Sequence, residues 1–427
     1  MDDLGRGVTA EERLAAHLDA LEYQRSADVR GRLDAAIELE RDAEADGLTV
    51  LAMRARLVRA DMLHRSGHPT VGASLALEVN AWAKRNYEQA LLARSHLVLS
   101  SIHEGIGDGP ASLEHALKAL ELADEDTTER ERGNYILRLA DAFALDGSLP
   151  AARQRYREAQ RIFAALPDPE REMTALNNLS YAEATGGDPE AAWTCAQQMQ
   201  LLARRNGFEL NAESADTLAR AMLGVGRFEE ATAVLEHAVA LLGVTGDVQA
   251  ATPAAVLLTL AEAERRSGNL AGAQDALDRC VAVCRERSLL SVEIDAIAEQ
   301  SEIHAANGRF DAAFETHKAY HAQWAKLASS RREAAVQTRQ VMFETAEARR
   351  AAEQYWRQAR TDPLSALPNR RFLDEELIQR LGQVAQGAQL AVAIIDADHF
   401  KRINDTLSHA VGDRVLHGLS RVLESTL

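Results

Sequence analysis

A glycine recurs every 39 to 42 residues through most of this chain. Each one stands in a short polar stretch such as "LDGSL" or "RSGNL", and amphipathic sequence with helical spacing flanks every stretch. A fixed period of this length predicts an array of repeated units, each a helix, a tight turn and a second helix. The seven glycines are Gly67, Gly107, Gly147, Gly187, Gly226, Gly268 and Gly308.

Two further positions in every unit hold small residues. Seven residues before the glycine, in the first helix, stand Ala60, Ser100, Ala140, Ser180, Ala219, Ala261 and Ser301. Five residues after it, in the second helix, stand Gly72, Ser112, Ala152, Ala192, Ala231, Ala273 and Ala313. Because small side chains let two helices approach closely, the pattern predicts where the helices of each unit cross.

The second helices resemble those of the tetratricopeptide repeat family. In "GVGRFEEATAVLEHAVAL" the turn glycine is followed by Phe228, Ala231, Leu235 and Ala238, which matches the family pattern, and "DGSLPAARQRYREAQ" matches it too. The period exceeds the family's usual value of about 34, so the helices are expected to be longer. The resemblance covers residues 50 to 322 and implies a superhelix, with "RLDAAIELERDAEADG" as part of one further hairpin that caps it.

The concave face of such a superhelix is made largely by the first helices and suits a peptide or a partner helix. Asn134, Asn177 and Asn178 lie in first helices, where an amide can bond a peptide backbone. The competing interpretation is that these amides are simply hydrated, and the sequence favours it.

No breaker follows Gly308 until Asp362 and Pro363, so the last repeat helix is expected to continue for about 45 residues. Its heptads place Leu327, Ala334, Val341, Ala348 and Tyr355 on one track and Trp324, Arg331, Thr338, Thr345, Ala352 and Ala359 on the other. One apolar seam beside one mixed seam is typical of a weak parallel coiled coil, which is compatible with a homodimer. A lone solvated helix explains the pattern equally well.

Beyond the long helix, "TDPLSALPNRRFLDEELIQRLGQ" predicts a turn and a helix that starts near Asn369, and "LAVAIIDADHF" has the composition of a strand over residues 390 to 395. In an extended backbone Asp396 and Asp398 point to the same side, where carboxylates suit a hard cation such as magnesium. The ammonium of Lys401 and nearby backbone N–H groups suit phosphate oxygens. The side chains of Asn404 and Asp413 suit the edge of a guanine base, because a carboxylate accepts from two adjacent N–H groups. Taken alone, these residues fit a solvated loop as well.

The same stretch resembles the GGDEF family, whose members are diguanylate cyclases. "DPLSALPNRR" is similar to the family's D-x-L-T-G-L-x-N-R-R signature, and "DADHFKRINDTLSHAVGD" is similar to D-x-D-x-F-K-x-I-N-D-x-x-G-H-x-x-G-D. The resemblance implies that Asp396 binds magnesium through its carboxylate and Ala397 through its carbonyl. It implies that Phe400 and Lys401 lie along the phosphates of GTP and that Asn404 and Asp413 hold guanine. The departures are Ser365 for Thr, Ala366 for Gly and Ser408 for Gly, and the last two lose backbone freedom that glycine would provide.

The family's naming motif is expected on a hairpin after Asp413, and the chain reaches Leu427 without it. The resemblance places a second metal carboxylate and the partners of the predicted strand in that later region. We therefore expect this chain by itself to be inactive, with magnesium bound only if the nucleotide site is completed. The predicted final helix "GDRVLHGLSRVLESTL" does not depend on the missing part, because its apolar residues follow helical spacing.

Composition limits the remaining possibilities. The formal net charge of −17, from 48 Lys and Arg against 65 Asp and Glu, disfavours nucleic acid as a partner. The N-terminus has no signal-peptide pattern and no apolar run reaches a membrane span, so we expect no membrane partner and a cytoplasmic location. Cys195, Cys280 and Cys284 are expected to be reduced packing residues.

These observations predict a mainly α fold: a tetratricopeptide-repeat superhelix over residues 10–322, a signalling or coiled-coil helix over 323–360, and the first part of an α/β ferredoxin-like GGDEF domain over 361–427. The predicted function is cytoplasmic signalling within the diguanylate cyclase family, which joins two GTP molecules into cyclic di-GMP, with the repeats as a sensor of a protein or peptide. The alternative is a non-enzymatic repeat scaffold or regulator.

Overall fold

A computed structural model describes residues 9–23, 29–242, 251–287, 289–384 and 390–426. The chain divides into two compact units, Met1–Met342 and Phe343–Leu427. The described residues of both units are mostly helical, and none of their helices has the length and apolar character that crossing a bilayer requires.

The first unit contains the predicted hairpins. Two helices, α1 (Ala10–Tyr23) and α2 (Val29–Ala45), precede the first repeat and share buried side chains with α3 (Thr49–Arg65), as expected of a capping hairpin. The helices that follow are α4 (Pro69–Asn86), α5 (Gln89–Gly105), α6 (Gly109–Glu121), α7 (Glu129–Leu145), α8 (Leu149–Ala165), α9 (Pro169–Thr185), α10 (Pro189–Asn206), α11 (Ala212–Gly224), α12 (Phe228–Leu242), α13 (Thr252–Ser267), α14 (Leu270–Arg287), α15 (Leu290–Ala306) and α16 (Phe310–Arg360).

The recurring glycines end the first helix of each unit. All seven have positive φ, between 73° and 92°, which an L side chain rarely adopts. The residue after each glycine donates its N–H to the carbonyl five positions earlier, as His68 does to Leu63 at 2.8 Å and Ser148 does to Phe143 at 2.8 Å. This is the Schellman arrangement, which satisfies the last carbonyls of the helix while reversing the chain.

The small residues lie where the helices of a hairpin touch. Every one of them is buried. Three hairpins join the two positions by a hydroxyl bond to a backbone carbonyl: Ser112 to Ser100 at 3.0 Å, Ser180 to Ala192 at 2.9 Å and Ser301 to Ala313 at 2.9 Å. The predicted crossing points are therefore confirmed.

Buried side chains form successive clusters along the array. One cluster is built by α3 to α5, another surrounds Phe163 between α7 and α10, and the largest extends from α9 to α15. Each cluster joins neighbouring hairpins, so no hairpin buries its apolar face alone. The three cysteines are free and buried, as expected.

The long helix predicted after Gly308 is present. It is α16, a continuous run of 51 residues that ends directly before Thr361. Its heptad pattern remains a prediction. On the two tracks, the side chains of Ala334, Val341, Ala348, Arg331, Thr338, Thr345 and Ala352 lie outside the described residues.

The second unit contains α17 (Arg370–Val384), α18 (Phe400–Leu407) and α19 (His409–Thr426). The helix near Asn369 and the final helix are as predicted. Residues 390–397 adopt neither helix nor strand, which differs from the predicted strand, and their apolar side chains Val392, Ile394 and Ile395 are 67%, 95% and 60% exposed. The described residues include no strand with which this segment could pair, and a lone strand leaves its backbone groups unsatisfied.

Candidate functional site

The turn before α17 is held by Asp362. Its Oδ1 accepts hydrogen bonds from the N–H of Ser365 at 2.8 Å, the hydroxyl of Ser365 at 2.8 Å and the N–H of Leu364 at 3.1 Å. The bonds from Ser365 lower the pKa of the Asp362 carboxyl, because they stabilise its charged form. Ala366 has a φ of 59°, so the glycine of the family signature is replaced at a left-handed position.

Asn369 then starts α17. Its Oδ1 accepts from the N–H of Phe372 at 3.1 Å, and its Nδ2 donates to the carbonyl of Ala359 at 2.8 Å. One side chain thus caps the new helix and bonds the end of α16. The "DPLSALPNRR" stretch is a compact connection between two helices.

The predicted nucleotide residues begin where α18 begins. The carbonyl of Ala397 accepts the N–H of Phe400 at 3.3 Å, and His399 takes a left-handed conformation, with φ 59° and ψ 23°, ahead of the helix. Lys401 lies in the first turn and is exposed. A helix N-terminus presents N–H groups and partial positive charge, which favours an anion beside Lys401.

The helices α18 and α19 meet through Gly412. A Cβ added at Gly412 would overlap the Oδ1 of Asn404 and lie 3.3 Å from Cζ of Phe400. A larger residue at this position would therefore force the amide of Asn404 to move. The close approach brings Asn404 of α18 next to the backbone that carries Asp413 of α19, which are the two residues expected to hold guanine.

Other predicted residues are not joined to this pair. Asp396 lies in the irregular segment, and Asp396, Lys401 and Asp413 are exposed; within the described ranges no hydrogen bond or ion pair connects their side chains. The carboxylate of Asp396 and the carbonyl of Ala397 are the hard oxygen donors that magnesium prefers, so the donor types fit that ion. The described part of the chain shows no group of three His, Cys, Asp or Glu placed to hold a metal.

A second polar centre lies among the first helices of the repeats. The carboxylate of Asp141 in α7 accepts from the hydroxyl of Tyr156 at 2.8 Å and from Nδ2 of Asn178 in α9 at 3.0 Å. The guanidinium of Arg138 lies 3.6 Å from Asp141 and pairs with Glu104 of α5. Burial raises the pKa of Asp141 to about 6, and the charge of Glu104 adds to the rise, while Arg138 opposes it.

Two of the candidate asparagines, Asn177 and Asn178, are part of this centre. Asn177 is only 8% exposed, so it is not simply hydrated, and its Nδ2 donates to Oδ1 of Asn178 at 3.3 Å. The Oδ1 atoms of Asn177 and Asn134 are buried without a hydrogen-bond partner among the described residues. A buried carbonyl oxygen that accepts no hydrogen bond is destabilising, and a ligand N–H would relieve it.

Comparison with known families identifies a family for the C-terminal residues of the chain. The family model described as "Diguanylate cyclase, GGDEF domain" matches residues 359–427. These residues belong to the GGDEF family. The match begins at the end of α16 and includes the Asp362 turn and the close approach at Gly412.

Curated relatives match short stretches of this chain. Diguanylate cyclase DgcP of Pseudomonas aeruginosa is 46% identical over 70 residues, which cover 16% of this chain and 10% of DgcP. Diguanylate cyclase DgcZ of Escherichia coli is 42% identical over 64 residues, which cover 15% of this chain and 21% of DgcZ. Cyclic di-GMP phosphodiesterase NbdA of Pseudomonas aeruginosa is 44% identical over 70 residues, 16% of this chain and 9% of NbdA. The chain thus spans a small part of relatives that carry different activity names.

Solved structures match the repeats. The apo form of RapI aligns with a TM-score of 0.52 at 9% identity, covering 65% of this chain and 99% of RapI. A signal transduction ATPase with a tetratricopeptide repeat sensor from Pyrococcus horikoshii aligns with a TM-score of 0.52 at 12% identity, covering 77% of this chain and 52% of the ATPase. At these identities the likeness shows the fold, which is that of tetratricopeptide-like repeats.

The structure adds one residue to the GGDEF site. Gly412 was not a predicted site residue, although it stands directly before Asp413 in the motif. The sequence signal was present, since a glycine inside an otherwise helical pattern often marks a close approach. Which atoms approach it depends on the turn between α18 and α19, and the spacing does not specify that turn.

Proposed function

We propose that this chain is a cytoplasmic signalling protein of the diguanylate cyclase family. The repeats, residues 10–322, bind a protein or peptide partner, and the helix of residues 323–360 connects them to a GGDEF domain, residues 361–427, that binds GTP. Magnesium is bound only if the nucleotide site is completed, and this chain by itself is inactive. In this proposal the GGDEF domain takes the ferredoxin-like α/β fold, with residues 390–395 as a strand once partner strands are supplied.

The observation that carries the proposal is the approach of Asn404 to the Gly412–Asp413 backbone inside the region that matches the GGDEF family. An amide and a carboxylate on adjacent helices are suited to the hydrogen-bonding edge of guanine. Lys401 in the first turn of α18 is suited to the phosphates, and Asp396 with Ala397 to the magnesium ion.

The test is GTP binding by residues 1–427 in the presence of magnesium, measured by titration calorimetry. Gly412→Ala should weaken binding by at least about tenfold, because a methyl group would displace the amide of Asn404. Gly418→Ala is the matched control, since it lies on the same helix and a Cβ there meets no atom within 4 Å. Lys401→Ala should weaken the binding of GTP and of ATP equally. Asp413→Ala should remove the preference for GTP over ATP.

Two outcomes would contradict the proposed guanine site. If the wild-type chain shows no preference for GTP over ATP, or if Gly412→Ala and Gly418→Ala behave alike, the guanine site proposed here is wrong. Retained helicity of each variant by circular dichroism separates a lost site from a lost fold.

The alternative of a non-enzymatic scaffold is favoured by a separate observation, the buried Oδ1 atoms of Asn134 and Asn177 among the first helices. These atoms support binding of an extended peptide whose backbone N–H groups reach them. If the repeats bind an extended peptide in this way, Asn177→Ala should abolish binding of that peptide and leave GTP binding unchanged. A chain that binds GTP normally with both asparagines replaced, and still captures its partner, would exclude this face as the binding surface.

A further inference from the structure

The repeat array contains a cavity between the second helices of two adjacent units. It has a volume of about 450 Å³ and lies between α8 and α10, with Leu179 of α9 in its wall. This volume falls in the range of roughly 300 to 1,000 Å³ that is typical of small-molecule sites. It lies outside both the GGDEF domain and the asparagines of the first helices.

The cavity is lined by cationic groups without counter-ions. Arg157 and Arg161 stand one helical turn apart on α8, and neither has a carboxylate within 4.0 Å in the described part of the chain. Three nearby acids have other partners: Glu158 pairs with Arg155 at 2.6 Å, Glu183 pairs with Arg153 at 2.5 Å, and Glu172 accepts from the cavity residue Gln160 at 3.3 Å. In a chain of net charge −17, two adjacent unpaired guanidinium groups at one cavity are unexpected.

The basic pair departs from the repeat pattern. The same two positions of the other second helices, ten and fourteen residues after the turn glycine, never carry two basic residues. They are Leu77 and Ala81, Leu117 and Glu121, Gln197 and Leu201, Glu236 and Ala240, Asp278 and Ala282, and Lys318 and Ala322.

A small side chain provides space in the cavity wall. The eighth residue after the turn glycine of α10 is Cys195, which lines the cavity, whereas the same position of α8 holds the larger Arg155. The guanidinium of Arg161 is also held in place, since its Nε donates to the carbonyl of Arg157 at 3.2 Å. Positive charge and free volume therefore coincide between α8 and α10.

These features define the ligand by its chemistry. A carboxylate is satisfied by one guanidinium fork, whereas a phosphate dianion has the charge and the oxygens to engage two. The remaining wall, with Leu179 and Cys195 beside the amides of Gln160 and Gln198, can contact the uncharged part of a larger molecule. We propose that this cavity binds a small phosphorylated metabolite, with Arg157 and Arg161 holding the phosphate and α10 contacting the rest.

Cys195 provides a local readout. It is 8% exposed, whereas Cys280 and Cys284 are fully buried. Burial raises the pKa of the Cys195 thiol to about 11, so alkylation is slow and is best followed at alkaline pH. The rate of iodoacetamide modification, measured by peptide mass spectrometry on the full chain, reports occupancy of this cavity, which Cys195 lines.

The probes are inorganic phosphate and ribose 5-phosphate, with sodium chloride at matched ionic strength as the reference. Both should slow Cys195 modification saturably in the wild type, and ribose 5-phosphate should act at the lower concentration. Arg157→Gln combined with Arg161→Gln should raise the half-saturating concentration by at least about tenfold. Arg204→Gln combined with Arg205→Gln, a pair of exposed arginines on α10, should behave as the wild type.

Two results would overturn the proposal: a modification rate that neither probe changes, or equal protection in the wild type and the Arg157/Arg161 variant. Both arginines are exposed, so their replacement is not expected to unfold the array. Because the charge of Arg157 lowers the pKa of Cys195, the rate of each variant is compared with its own rate in the absence of probe, and circular dichroism shows whether the fold is kept.

Discussion

In the described part of the GGDEF domain, three residues other than glycine have positive φ: Ala366, His399 and Ser408. Ser408 has φ 117° and ψ 158°, a region that is almost exclusive to glycine, and Ala366 has φ 59°. Both stand where the family signature has glycine. The side chains at these two positions therefore raise the conformational energy of the folded chain. The surrounding turns impose these conformations, because Ser408 separates α18 from α19 and Ala366 closes the Asp362 turn.

Ser408→Gly should stabilise the α18–α19 pair by about 1–2 kcal/mol, after allowing for the greater freedom of glycine in the unfolded chain. Amide hydrogen exchange of α18 and α19 should slow correspondingly. Thr406→Gly, two residues earlier in α18, should have the opposite effect, because glycine inside a helix costs about 0.5–1 kcal/mol. Faster exchange in Ser408→Gly would show that the strained conformation is not the one the chain adopts.

Asp141 makes the stability of the repeats depend on pH. Its pKa is raised to about 6 in the folded chain, chiefly by burial, against about 3.9 when unfolded. The folded state therefore binds the proton more tightly, and the stability that Asp141 contributes is complete below pH of about 4 and is lost as the pH rises through about 6. Asp141→Asn should remove this loss, so its free energy of unfolding should fall less than that of the wild type over this interval. Urea unfolding at several pH values in this range measures the free energy of unfolding of each protein, with the exposed Asp311→Asn as control. If the free energy of unfolding falls equally with pH in the wild type and in Asp141→Asn, the raised pKa of Asp141 is contradicted.

At the scale of elements, helices were predictable and the strand was not. The period, the turn glycines and the small residues specify the hairpins locally, because helical hydrogen bonds join residues four apart. The same holds for α16, α17 and α19. A strand depends on a partner that is distant in the sequence, and the described residues provide none for residues 390–395.

The irregular segment should exchange its amide protons rapidly. In the described part of the chain no backbone hydrogen bond is donated by residues 390–396, while residues 135–142 of α7 lie in a buried helix. Hydrogen exchange followed by mass spectrometry should show near-complete labelling of the first segment at times when the second is protected. Strong protection of 390–396 in the isolated monomer would mean that a partner strand is present after all.

The whole repeat array is held by contacts between neighbours, so damage should stay local. Phe163 is fully buried in the cluster between α7 and α10, and Phe163→Ala should destabilise that region by about 3–5 kcal/mol. In an array whose hairpins contact only their neighbours, exchange should rise most in α7 to α10 and least in α15. The exposed Phe314→Ala is the matched control and should change little. A uniform rise in exchange along the array would show that the hairpins unfold as one unit.

The two candidate sites differ in how much of each could be predicted from the sequence. The GGDEF region could be recognised from sequence because the order of its motif residues is fixed over a short stretch. The buried environment of Asn177 could not, since it depends on how α9 packs against its neighbours.

The sequence by itself determined the number and length of the hairpins, the position of each turn and the long helix, because glycine conformation and helical spacing act over a few residues. Only the tertiary structure decided which polar groups meet: Asn178 with Asp141, Asn404 with the Gly412 backbone, and Arg157 and Arg161 with the cavity at Cys195. These groups lie on different helices, and their approach depends on the angle and separation at which the helices pack. That geometry results from the whole set of buried contacts, and no local pattern contains it.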